Sequence, residues 1–152
     1  MLGVSERIPG MRLANRCRSL LPAVILPVVL AACAALSPAP PPVSDNAAVL
    51  ALVDQAHAEA ADHRLQGATG TIERALRIEP RNPFLWQELA RLHLAQGDYD
   101  QTESLAARSN SWAGENRLLR AANWRLIRDA RLARGDAAGA QEAEERARQL
   151  ER

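Results

Sequence analysis

At 152 residues, with 19 arginines, no lysine and 18 acidic residues, the chain is long enough for one small domain and is almost neutral, at +1. The charge is unevenly spread. Beyond Cys33 fifteen arginines face seventeen Asp and Glu, a balance of −2, which removes the basic excess that a nucleic-acid partner requires.

The first segment has the pattern of a secretory signal. Arg12, Arg16 and Arg18 form a positive region, residues 20–32 an apolar one, and Ala31 and Ala32 set small side chains ahead of Cys33. Met1 and Met11 are both usable starts. As a helix the apolar run would cover about 20 Å against the roughly 30 Å of a bilayer core, and Pro22 and Pro27 interrupt it, so it does not read as a membrane span. The sequence Leu30-Ala31-Ala32-Cys33 resembles the lipobox of bacterial lipoproteins. That resemblance implies removal of residues 1–32, a diacylglycerol on the Cys33 thiol, and N-acylation. Cys17 would leave with the signal and Cys33 would be a thioether, so no thiol remains for disulfide chemistry. Three acyl chains hold a membrane where one binds only marginally. Ala34 follows the cysteine, where the family's sorting rule reads an aspartate as inner-membrane retention, so the resemblance implies an outer-membrane anchor facing the periplasm.

Residues 33–46 then form a linker. The prolines among residues 37–46 favour extended polyproline geometry, with a rise of about 3.1 Å per residue.

Residues 47–152 read as all-α. Pro80 stops one helix, Asn82 suits an N-cap and Pro83 suits the first helical position, where its missing N–H costs nothing. Trp86, Leu89, Ala90, His93 and Leu94 recur at the spacing of one buried stripe. Gly97 is placed to end the helix in the left-handed conformation, Asp98 to cap the next, and Thr102, Leu105, Ala106 and Ser109 give that next helix a face of small side chains. The unit is a helical hairpin, and it repeats. Trp86 and Gly97-Asp98 recur 38 residues later as Trp124 and Gly135-Asp136, while Ala90, Ala95 and Ala106 map 34 residues back onto Ala56, Ala61 and Ile72. Three hairpins are expected. The four extra residues of the second step are assigned to residues 110–116, as an added turn on the preceding helix. Trp112 in that stretch has no repeat equivalent, and either covers the junction of the second and third hairpins or is an exposed contact.

Trp86, Leu89, Ala90, Gly97, Asp98 and Tyr99, with Ala75 and Pro80 from the unit before, resemble the tetratricopeptide repeat. The first unit departs from the pattern at His63, where a turn glycine is expected, although His tolerates the left-handed region better than most residues. The third departs at Arg128 and Arg131, where small and aromatic side chains are expected. The resemblance implies an α-solenoid of about three hairpins whose concave face binds an extended peptide or partner helix. Residues 137–152, with alanines on one side and charges on the other, read as a solubilising terminal cap.

Chemistry-bearing motifs are sparse. His57 and His63 stand about 240° apart on a helix and cannot share a metal as neighbours, and His93 reads as a structural histidine. No catalytic residue, cofactor or metal is assigned. Trp86 and Trp124 read as packing residues at equivalent repeat positions, not as platforms for sugars. The resemblance places the groove on the first helices of each hairpin, which nominates Val53, His57, Phe84, Gln87, Arg91, Arg125 and Asp129, and the arginines suit an acidic partner segment. The leading expectation is therefore a lipid-anchored envelope adaptor for a protein or peptide, serving a pilus, secretion or cell-wall complex. The alternatives are a structural homo-oligomer without a separate ligand and, more remotely, an envelope hydrolase or carbohydrate-binding protein.

Overall fold

In the computed structural model, residues 43–152 are described; the signal, Cys33 and the linker through residue 42 lie outside the described residues. Six helices follow in order: α1 (Ala47–Ala61), α2 (Leu65–Ile78), α3 (Pro83–Gln96), α4 (Tyr99–Trp112), α5 (Arg117–Ala133) and α6 (Ala137–Glu151). They pair as three antiparallel hairpins, α1 with α2, α3 with α4 and α5 with α6. The hairpins stack through α2 on α3 and through α4 on α5, and α3 also touches α5. The expected all-α hairpin array is what the chain forms.

Local chemistry sets the helix ends. The Asn82 side chain accepts from the Phe84 and Leu85 amides, and Pro83 occupies the first position of α3. Asn46, Asn116 and Asp136 cap α1, α5 and α6 in the same way. The three hairpin turns use a left-handed residue at one repeat position: His63 at φ 60°, Gly97 at φ 84° and Gly135 at φ 83°. His63 thus does the work of the missing glycine. Asp98 differs from expectation, because its carboxylate makes no cap bond and turns instead to His93 Nδ1, 3.2 Å away.

The inserted residues lie elsewhere than expected. α4 has 14 residues, as α2 does, and ends at Trp112, whereas α5 has 17. The extra turn therefore belongs to the front of the following helix. Asn116 caps the Leu119 amide at 3.0 Å and starts α5 early, and Leu119 is buried beneath it. Trp112 is 42% exposed, and its ring lies 5.2 Å from the Arg81 guanidinium in the α2–α3 turn.

The core changes character along the stack. Around α1, α2 and α3 it is built of large aliphatic side chains: Val49, Val53, Ile72, Leu76, Leu85, Leu89 and Leu92, with alanines between. Around α4, α5 and α6 the buried cluster is Ala90, Ala106, Ile127 and Ala143. There a polar ladder supplements it. Gln87 Nε2 donates to Asn123 Oδ1 at 2.9 Å, and Asn123 Nδ2 donates to Ser109 Oγ at 2.7 Å and Asn110 Oδ1 at 2.9 Å. Ser109 Oγ in turn donates to the Pro83 carbonyl at 2.7 Å. α6 presents Ala140, Ala143 and Ala147 inward, pairs Glu142 with Arg146 along its exposed side, and holds Arg148 and Arg128 of α5 on Glu144.

The start of the described chain is fastened to the α2–α3 turn. Ser44 Oγ donates to Glu79 Oε1 at 2.6 Å, and Asn82 Nδ2 donates to the Val43 carbonyl at 2.8 Å and to Glu79 Oε2 at 2.6 Å.

Candidate functional site

α3 is the central helix, packed by α2, α4 and α5, so its buried surface is wider than one stripe. Leu85, Gln87, Leu89, Ala90 and Leu92 are buried, while Trp86, His93 and Leu94 are only half-buried. This geometry divides α3 into two exposed faces, since Arg91 and His93, two residues apart, lie about 200° around the helix from each other.

The first face, built from α1, α3 and α5, carries the residues expected to bind a partner. Val53 and Gln87 are 4% and 5% exposed; Val53 is part of the aliphatic core and Gln87 is held by Asn123, so neither offers a ligand a surface. Three side chains do meet: Glu88 stands 3.4 Å from His57 Nε2 and 3.3 Å from Arg91 Nη1, joining α1 to α3. Phe84 lies apart, half-buried in a shallow hollow of about 470 Å³ beside Val43, Arg81 and Pro83. Arg125 reaches Glu151 at 2.7 Å and Asp129 meets Arg128 at 2.8 Å. The nominated set is therefore two core residues, one small cluster and three separate positions.

The second face holds a groove of about 580 Å³, with α2 and α4 as walls and α3 as floor. Leu76, Trp86, Leu89 and Leu105 supply its apolar surface. The Trp86 indole N–H donates to the Pro80 carbonyl at 2.9 Å, which fixes the ring, and the Arg108 guanidinium lies over that ring at 4.3 Å. Antiparallel packing gives the groove two unlike ends: Arg77 and Arg108 flank Trp86, while Glu73, His93 and Gln101 lie toward the α3 C-terminus.

The equivalent place at the next junction is occupied. Arg131 stands where His93 stands one repeat earlier, and its Nε donates to Glu103 Oε2 at 2.9 Å while Nη1 donates to the Gly139 carbonyl at 3.0 Å. A Cβ at Gly139 would collide with the Asp136 carboxylate and come within 3.1 Å of Arg131 Cδ, so the glycine makes room for that arginine. Arg128 pairs with Glu144 at 2.6 Å, and Arg134 pairs with Asp100 and Glu103. The two departures from the repeat pattern are thus cross-links. They set the local titration: hydrogen bonds from Arg128, then Arg148, hold the Glu144 carboxyl below its ordinary range. At the first hairpin, Glu59 is lowered by hydrogen bonds from Gln55 and Thr71.

Residues 71–103, which run from α2 through α3 into α4, match the family model described as tetratricopeptide repeat. Among solved structures, the globular C-terminal domain of P. aeruginosa LpoP is 39% identical, superposes with a TM-score of 0.67, and is matched over 99% of its length by 69% of this chain. The chain belongs to the LpoP family. None of the curated proteins matches it. In this LpoP-like array the stretch that matches the repeat model is the first junction, where the groove stands open.

Sequence reasoning missed Glu88, Arg77 and Arg108. One signal for the last was present: Arg74, Arg108 and Arg146 recur at the repeat offsets, opposite Leu52, Trp86 and Trp124. In the third hairpin that pairing is seen again, with Arg146 over Trp124 at 4.8 Å.

Proposed function

We propose that this protein is a lipid-anchored adaptor of the bacterial cell envelope, held at the outer membrane through Cys33, facing the periplasm, and binding a protein partner on its helical array. Its role on this reading is to assist assembly of a pilus, secretion or cell-wall complex, and not to catalyse a reaction. The observation that carries the reading is the folded unit: three stacked hairpins that match almost the whole LpoP domain, following a lipobox-like Leu-Ala-Ala-Cys and a proline-rich spacer in sequence. A repeat stack exposes extended surface without enclosing a reaction chamber, and a spacer of polyproline character keeps such a surface off the bilayer. His57, Phe84, Arg91, Arg125 and Asp129 remain accessible on the first-helix face for this purpose.

Metabolic labelling with a fatty acid tests the anchor. The native protein should take up label in the membrane fraction, and Cys33→Ser should be unlabelled and retain its signal or become soluble. Label on the variant refutes the anchor. In-cell crosslinking followed by identification of the bound protein tests the adaptor role, and a product containing only copies of this chain would replace it with the homo-oligomer.

A further inference from the structure

We propose that the groove between α2 and α4, and not the first-helix face, is the principal docking site, and that its occupant is an extended protein segment bearing a carboxylate beside an apolar or aromatic side chain. The proposal rests on the adaptor reading and assigns it a surface and a ligand chemistry.

Charge complementarity argues for the carboxylate. Among the described residues Arg125, Arg128, Arg131, Arg134, Arg146 and Arg148 each meet a carboxylate within 4 Å, and Arg91 meets Glu88. Arg74, Arg77, Arg81, Arg108, Arg117, Arg120 and Arg152 form no ion pair with any described residue, and of these Arg77 and Arg108 line the groove, on opposite walls. Two arginines on opposite walls of one apolar groove, one of them stacked over the Trp86 ring, suit capture of a carboxylate. The apolar half follows from the floor. Leu76, Leu89 and Leu105 surround the Trp86 ring, whose position the Pro80 carbonyl fixes in advance, so little ordering is left for binding to impose. A volume of about 580 Å³ falls within the range of roughly 300–1,000 Å³ typical of ligand clefts.

The array itself supplies a control. At the second junction Arg131, tied to Glu103 and Gly139, takes up the equivalent space. At the first junction the shorter His93 turns to Asp98 and leaves the space open. The open groove therefore lies at the junction where the shorter side chain stands. Its polarity orients the segment, with the carboxylate at the Trp86 end and donors or a basic side chain toward Glu73 and Gln101.

The test uses the full-length mature protein in detergent and short fluorescein-labelled peptides in which phenylalanine or leucine neighbours an aspartate, with asparagine counterparts, read by fluorescence anisotropy. An aspartate peptide should bind, and its asparagine counterpart should bind about tenfold or more weakly. Arg77→Gln and Arg108→Gln should each weaken it by a similar factor, and His93→Arg should abolish it by filling the groove, while Arg64→Gln, in the α1–α2 turn and away from the groove lining, leaves it unchanged. Circular dichroism keeps a folding defect separate from lost contacts. Binding lost with Arg91→Gln but not with Arg77→Gln or Arg108→Gln overturns the groove and leaves the adaptor with its first-helix face. Failure of every aspartate peptide, or equal binding of the asparagine peptides, overturns the ligand chemistry. Anionic vesicles that bind through Arg77 and Arg108 when the peptides do not, or a dimer that Arg108→Gln dissolves, likewise overturn it in favour of a lipid surface or a second copy.

Discussion

The two junctions of this array join hairpins of the same design by different means. The first is filled by Ile72, Leu76, Leu85 and Leu89, side chains whose full burial is worth about 1.5–3 kcal/mol each. The second buries mainly alanines with Ile127, and draws on the Gln87–Asn123–Ser109 ladder and the arginine pairs at Glu103 and Glu144. Ion pairs at partly exposed positions contribute only about 0–1 kcal/mol each, so a junction built on them needs several, and their long side chains occupy the cleft between helices. A junction held by aliphatic packing keeps its cleft clear. Fold maintenance and surface availability are thus coupled, and the repeat with the larger apolar core is the one left with an open groove.

The sharpest way to break this comparison is at the first junction. Trp86→Ala removes a half-buried ring together with its bond to Pro80, and should cost about 3 kcal/mol, the lower end for a large aromatic deletion because one face of the ring looks into the groove. A melting curve by circular dichroism reads it, and an unchanged curve would mean that the ring contributes nothing to the stack. At the second junction the corresponding strike is Asn123→Ala, which leaves Gln87 Nε2 and Ser109 Oγ without their shared partner in a fully buried position. About 2 kcal/mol should be lost in urea unfolding; a loss below about 0.5 kcal/mol would demote the ladder to an incidental contact. Arg131→Ala should be milder, about 1 kcal/mol, because its side chain is partly exposed and screened, and added salt should reduce the difference. The smallest effect is that of acid. Glu144 has a folded pKa held down by Arg128 and Arg148, so its stabilisation is complete above the ordinary glutamate value of about 4.3 and fades as pH falls through the lower folded value. Arg128→Gln should flatten that limb of the stability profile; an identical profile in native protein and variant would remove Glu144 from the account.

Helix boundaries were the most readable part of the sequence, because each rests on chemistry within a few residues: Asn82 with Pro83, Gly97 at positive φ, and His63 standing in for a glycine. The repeat offsets carried the stacking order for the same reason. The side of the extra turn is not legible in the sequence, because a four-residue insertion between repeats fits either neighbouring helix, and the cap at Asn116 that decides it competes with other polar residues nearby. Gln87 reads as a surface residue in the sequence because polarity is a poor guide to burial once a partner such as Asn123 arrives from another helix, 36 residues away. The groove was hidden for a related reason. Its walls come from three helices, and the difference between an open and a filled junction turns on His93 against Arg131, a contrast that periodicity registers only as a departure from pattern.

The fastening of Val43 and Ser44 to Asn82 and Glu79 has a mechanical consequence. A pull along the chain from the N-terminal side would not peel α1 away from its free end. The load path passes at once into the α2–α3 turn, some 39 residues further along the chain, and the resisting bonds must part together. Loads shared in this way raise the rate barrier to forced unfolding, a property distinct from equilibrium stability. Under tension from that side, the clasp would spread the load over the α2–α3 turn before α1 bears it.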